Sequence, residues 1–394
     1  MYENIAILAV FIFIYSLISG KLERTPINGA LVFAAFGLAF GPLGLDVLKM
    51  HVNAEGLRIL AELTLALVLF IDASNANLSV LKKNILIPRR LLLVGLPITI
   101  LIGFGLGVLL FDQLTLLEIA ILATLLAPTD AALGKAVVTN KLVPAKIREG
   151  LNVESGLNDG ICVPILFIFL AFAAGTGGEG SASSLALTLI AEEIGIGVAV
   201  GITLTASGVW LIKQSVINKW LTETWEQLPV VVLAVSCFAI AQILEGSGFI
   251  AAFVGGLLFG SIGKEYKKMV VADATGETMA LITWVIFGAT VVGQSLDLFS
   301  WEILVYSILS LTVIRMLPVF LVLSGMNLRT DEKLFIGWFG PRGLASIVFA
   351  VIVLNENLPG AGTIAITAAT TIVLSVLFHG LSANPFIDKL VKRI

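Results

Sequence analysis

Apolar residues run along this chain in stretches of about 18 or more, each set off from the next by charges, glycine or proline. A helix rises about 1.5 Å per residue, so such a stretch crosses a hydrocarbon core of about 30 Å. The pattern predicts about thirteen spans, at 3–20, 27–45, 57–76, 91–111, 116–138, 147–173, 184–212, 228–245, 247–263, 274–294, 301–325, 333–354 and 361–381. The connections are short and leave no soluble domain. The expected fold class is an all-α polytopic membrane protein.

Composition supports this. The 394 residues are 58% hydrophobic and only 13% charged, with a mean hydropathy of +1.03. A soluble chain of this size needs far more charge to cover its surface. The start, MYENIAILAV, lacks the basic n-region and small-residue cleavage site of a signal peptide, so it reads as an uncleaved first span. Cys162 and Cys237 both fall in apolar runs without ligand spacing, which argues against structural zinc or iron–sulfur. His51 and His379 are isolated and read as rim or packing residues. The net charge of −3 and the lack of a basic run give no sign of nucleic acid. No phosphate-binding G-x-x-x-x-G-K-[ST] loop is present, and no cofactor is expected.

Lys and Arg concentrate on one side of the predicted topology. Lys21, Arg24, Lys82, Lys83, Arg89, Arg90, Lys141, Lys146, Arg148, Lys213, Lys219, Lys264, Lys267, Lys268, Arg329, Lys333, Lys389, Lys392 and Arg393 make 19 of the 24 basic residues. The opposite loops hold Lys49 and Arg58 beside acidic or neutral pieces such as FDQLTLLE and GTGGEGSASS. The positive-inside rule then puts the N-terminus outside and the C-terminus in the cytoplasm.

Charges inside the spans carry the chemistry. Lys135, Arg315 and Arg342 are basic; Asp72, Asp130, Glu154 and Asp159 are acidic, with Glu62 and Glu277 nearer span ends. A charge at the bilayer centre costs roughly 2.5–3.5 kcal/mol even on the lenient insertion scale, so such residues are paired or functional. Lys135 is expected to snorkel towards the cytoplasmic end of its span. In VESGLNDG, at about 100° per residue, Glu154, Ser155, Asn158 and Asp159 share an arc of roughly 140°. Glu154 stacks on Asn158, and Ser155 on Asp159, as two side-by-side polar columns. One column can bind a cation; the other can reach a neighbouring helix.

Two spans carry interruptions. In LLAPTDAALG, Pro128 removes a backbone donor and frees a carbonyl one turn back, and Asp130 sits just beyond it. Seven spans later WFGPRGLASIVFA repeats the interruption with Arg342 in place of the acid. Irregular backbone at membrane depth lines cavities, and discontinuous helices mark midplane transport sites. If residues 1–173 and 228–381 form repeats around the linking span 184–212, the odd seventh span inverts the second copy. Asp130 and Arg342 would then sit against the partial charges of half-helix ends. Residues 382–394 are left as a short cytoplasmic tail.

APTD followed by ESGLNDG, with GPRG near the end, resembles the NhaP-type sodium/proton antiporters of the monovalent cation/proton antiporter family. The resemblance covers essentially the whole chain. It implies the NhaA-like antiporter fold, with inverted six-helix repeats and two crossed discontinuous helices in a single transmembrane domain over 1–394. It implies Asp159 as the carboxylate that takes the cation and the proton in turn, with Asp130, Ser155 and backbone near Thr129 completing the site. Asp72 stands in the third span where some family members have glutamate, one methylene longer. Asn158 replaces the first of two adjacent aspartates of electrogenic relatives, which implies electroneutral exchange. Glu154 would pair with Arg315, leaving Arg342 and Pro128 for the helix break. The implied partners are Na+ or Li+ (K+ remaining open), protons, the cell-membrane bilayer and a second copy in a homodimer.

The residue types agree with that reading. A hard monovalent cation wants oxygen ligands, which carboxylates, hydroxyls and freed carbonyls supply. A site that takes either ion or proton exchanges them by competition. An intramembrane aspartyl protease would show a G-x-G-D type motif, whereas Asp159 follows Gly-Leu-Asn. A passive channel would need a pore-lining ring or filter segment, and none is visible.

Overall fold

The computed structural model describes residues 2–22, 29–48, 55–75, 86–130, 133–173, 181–222, 225–263, 270–292, 298–356 and 358–392. Arg24, Lys49, His51, Lys82, Lys83, Lys264, Lys267, Lys268 and Arg393 lie outside them, as does the Lys135 side chain. Helix and short irregular connections make up all of the described structure. In chain order the elements are α1 (Tyr2–Leu22), α2 (Gly29–Phe40), α3 (Glu55–Asn75), α4 (Leu86–Leu110), α5 (Leu116–Leu125), α6 (Lys135–Val138) and α7 (Ala145–Ala173). There follow α8 (Ser181–Ile217), α9 (Leu228–Ile243), α10 (Gly248–Ile262), α11 (Val271–Val292), α12 (Trp301–Val322), α13 (Thr330–Trp338), α14 (Leu344–Asn355) and α15 (Ala361–Val391).

Each of the thirteen predicted spans overlaps helix among the described residues. Seven helices among the described residues are long and apolar enough to cross a membrane, and five shorter apolar ones accompany them. The fifth span is interrupted between α5 and α6, and the twelfth between α13 and α14. Local signals explain several ends. Thr115 caps α5 through a capping box with Glu118, and Ser247 caps α10.

The chain divides into two compact units. One comprises Met1–Ile59, Leu86–Ser155 and Leu281–Ile394; the other comprises Leu60–Ile85 and Gly156–Ala280. Both draw residues from each half of the chain. In the first unit, Ile87, Ile147, Leu151, Ile336 and Phe339 share a buried apolar cluster with Ile387 and Leu390. That cluster explains why α15 does not stop at 381. Two apolar side chains of the expected tail have a core to enter, and the helix runs on to Val391 with Pro385 inside it.

In the second unit α10 packs against α3 through glycine. A Cβ on Gly256 would collide with the Phe70 backbone, and one on Gly260 with that of Ser74. Cys162 and Cys237 are buried thiols, Cys237 lying 3.7 Å from Thr205 Oγ1.

Candidate functional site

The two interruptions meet in the first unit. Leaving α5, the chain is irregular from Leu126 to Asp130 because Pro128 cannot continue the hydrogen-bond ladder. Leaving α13, it is irregular from Phe339 to Gly343. Asp130 N donates to Pro341 O at 2.8 Å, joining one break to the other. Asp130 Oδ2 accepts from Leu344 N at 3.0 Å, and Oδ1 accepts from Leu133 N at 3.2 Å. The carboxylate thus sits on the N-terminus of α14, where unpaired amides and the helix dipole favour negative charge. Gly343 makes this approach possible, since a Cβ there would overlap the Asp130 carboxylate.

Arg342 has the complementary position. Its side chain is fully buried, and Nη1 donates to Gly340 O at 3.1 Å and Pro128 O at 3.4 Å. A cation therefore faces the carbonyl-rich ends of the preceding half-helices. The last turn of α5 is served as well, Ser346 Oγ donating to Leu125 O at 2.7 Å.

α7 presents Glu154 and Ser155 to the same region. Arg315 of α12 grips Glu154 through two bonds, Nη1 to Oε1 at 2.6 Å and Nη2 to Oε2 at 2.7 Å. Both side chains are 3% exposed. Such a fork-to-fork pair has the strongest geometry available to a charge-assisted bond. Gly340 leaves space for the Arg315 guanidinium, which a Cβ there would strike. Ser155 Oγ donates to Thr129 O in a short contact. Thr129, Asp130, Ser155, Val137, Leu151, Phe339 and Pro341 line a small cavity with room for about one water-sized guest. Its lining mixes oxygen-bearing and apolar residues.

Along α7 the second unit begins at Gly156, and it also holds Leu60–Ile85, so Asn158, Asp159 and Asp72 belong to it. Asn158 and Asp159 are buried on α7, and Asp72 is half-buried on α3. Gly156 lets the two helices approach closely, its Cβ position lying 3.2 Å from Asp72 O. Behind Asp159, Gly160 accommodates the Phe253 ring. Ser155 and Asp159 lie one turn apart on one continuous helix.

Three buried hydroxyl residues of α15 were not among the expected site residues: Thr367, Thr371 and Ser375, which continue at the same four-residue spacing to His379, buried as a packing residue and not at a rim. The four-residue spacing is a readable signal, hidden because threonine and serine are common in apolar helices as backbone-bonding hydroxyls. Glu118 is another case. It caps α5 and also accepts from Gly360 N at 2.5 Å at the start of α15.

A helical membrane protein built around two interrupted helices, with opposite charges on their broken ends, has the architecture of a secondary transporter. Residues 7–389 match the family model of the transmembrane sodium/hydrogen exchanger, and the protein belongs to that family. The Na(+)/H(+) antiporter ApNhaP of Aphanothece halophytica is 24% identical over 95% of this chain and 71% of its own length. The K(+)/H(+) antiporter NhaP of Alkalimonas amylolytica is 24% identical over 97% of this chain and 65% of its own. The chain thus spans about two thirds of the length of these relatives. Among solved structures, the sodium proton antiporter MjNhaP1 of Methanocaldococcus jannaschii superposes with a TM-score of 0.81 over 99% of both chains, at 22% identity. That likeness concerns the fold.

Proposed function

We propose that the protein exchanges Na+ or Li+ for protons across the cell membrane by alternating access, cation and proton competing for Asp159. The observation that carries this reading is the meeting of two interrupted helices, with Asp130 on the α14 N-terminus and Arg342 on the carbonyls of both breaks. Such an arrangement offers oxygen ligands at membrane depth while its own charges are compensated. Asp159 supplies the exchangeable carboxylate, with Ser155 one turn away on α7. Asp130, Thr129 and Asp72 supply or shape further oxygens, and Asn158 orients its neighbours. The hydroxyl hydrogen of Ser155 can rotate, so its oxygen and the Thr129 carbonyl it now engages can both face a cation. K+ exchange by the same mechanism is the second reading, favoured by relatives named as K(+)/H(+) antiporters.

Further parts of the reading rest on the sequence. The loop charges favour an external N-terminus and a cytoplasmic C-terminus. Two inverted repeats, 1–173 and 228–381 around the span 184–212, account for two interrupted helices seven spans apart. The family resemblance favours a homodimer. The test is dye dequenching in acidified vesicles on adding Na+, Li+ or K+ in turn. Dequenching by Na+ and Li+ is expected; dequenching by K+ alone selects the second reading, and none by any ion removes both.

A further inference from the structure

We propose that Ser375 and His379 are positioning residues for ion exchange, bracketing the interruption of the twelfth span so that Arg342 and Pro341 keep their places against the fifth. This rests on the antiporter reading above and adds a role for α15, which contributes no residue to the ion site as proposed.

α13 ends at Trp338 and α14 starts at Leu344, leaving helix-terminal groups that need partners inside the protein. At the first end, His379 Nε2–H donates to Trp338 O at 2.7 Å. At the second, Arg342 N–H donates to Ser375 Oγ at 2.7 Å. His379 Nδ1 lies 3.2 Å from Ser375 Oγ and 2.8 Å from Ser375 O. It can accept from the hydroxyl when unprotonated and donate to the carbonyl when protonated, so the link persists in either case. One chain of contacts thus runs from Trp338 through His379 and Ser375 to Arg342. Both bracket residues are buried on one unbroken helix, a single turn apart. That turn, about 6 Å of rigid helix, sets the separation of the ends of the break.

Packing strengthens the hold on Trp338. Its indole Nε1 donates to Ser382 Oγ at 2.8 Å, one residue beyond the predicted end of the span. Its ring lies 5.1 Å from that of His379, and the Phe339 ring lies 6.3 Å from the same imidazole.

What the bracket holds is the wall of the cavity. Between its ends lie Phe339, Gly340 and Pro341; Pro341 O holds Asp130 N, and Phe339 and Pro341 line the cavity with Thr129, Asp130 and Ser155. A slack bracket lets this segment shift, and the oxygens of the fifth-span break shift with it. Cation affinity and Na+/Li+ preference therefore depend on two residues that need not touch the ion.

The experiment measures Na+- and Li+-driven proton exchange in vesicles for wild type, Ser375→Ala, His379→Ala, His379→Gln and the double alanine variant, with melting temperature recorded for each. Each alanine variant should raise the apparent KM for Na+ roughly five- to tenfold and change the Na+/Li+ KM ratio, as expected for losing a buried hydrogen bond that positions the site. The double variant should be little worse than either single one, because both break the same bracket. His379→Gln, which keeps an N–H for Trp338 O, should recover most of the affinity. A merely structural role would lower melting temperature while leaving KM and the ion ratio at wild-type values, and that result overturns the proposal. Should His379→Ala fail to fold, Ser375→Ala, which removes a single oxygen, decides alone. Absence of exchange in wild type refutes the antiporter reading itself; exchange with unmoved KM values in the variants refutes only the bracket.

Discussion

Glu154, Ser155, Asn158 and Asp159 fall within six residues, yet Glu154 and Ser155 face different partners. Glu154 is committed to Arg315 by two short bonds in a buried pocket. Removing one partner of such a pair strands the other charge, at a cost of roughly 3–5 kcal/mol. Glu154→Gln should therefore lower thermal stability in detergent well below wild type while the apparent Na+ affinity of the surviving protein stays near normal. Wild-type stability with altered affinity would place Glu154 in the ion site instead. Asp159 has the opposite expectation. Asp159→Asn keeps the shape but cannot bind and release a proton, so cation-driven proton flux should vanish from vesicles while the melting curve changes little. Substantial flux in that variant would take Asp159 out of the mechanism. Gly343 is decided by space alone. Gly343→Ala puts a methyl into the Asp130 carboxylate, so it should impair exchange about as severely as a change at Asp130 itself.

At the scale of elements, the interrupted helices are the organising feature, and their charges are matched to helix ends. Asp130 accepts the first amide of α14, so Asp130→Asn weakens that end by loss of charge while leaving an acceptor oxygen in place. Exchange should fall at least tenfold with only a modest drop in melting temperature, an effect of roughly 1.4 kcal/mol or more on transport. Equal losses in both measurements would mean that Asp130 serves folding alone. Proline, glycine and a neighbouring charge made both interruptions legible in the amino-acid pattern, because they act locally on the backbone. The continuation of α15 to Val391 was not legible. Residues 382–391 mix polar and apolar side chains, and only a partner surface for Ile387 and Leu390 turns them into a packed helix. The second half of the fifth span was overestimated for a related reason. The run to residue 138 is apolar enough for a long helix, but α6 holds only Lys135–Val138.

For the whole molecule the expected cycle is one cation for one proton. Asparagine at 158 carries no titratable proton, and Glu154 is held by Arg315, so under the proposed function Asp159 alone exchanges. In vesicles clamped with potassium and valinomycin, Na+-driven rates and final pH gradients should not vary with membrane potential. A potential-dependent end point would make a second acid titrate, with Asp72 the first to mutate. The amino-acid pattern determined by itself that the chain is a helical membrane protein with about thirteen spans and two breaks. Hydrophobic length and backbone chemistry are local properties, set residue by residue. It also marked the buried charges, because a charge in an apolar run is conspicuous wherever the chain folds. Only the tertiary structure decided what those charges face: Glu154 in the fork of Arg315, Asp130 on the amide of Leu344, Arg342 on the carbonyls of Pro128 and Gly340. It alone brought Ser375 and His379 to the second break, since hydrogen bonds between residues more than 30 positions apart depend on how helices pack.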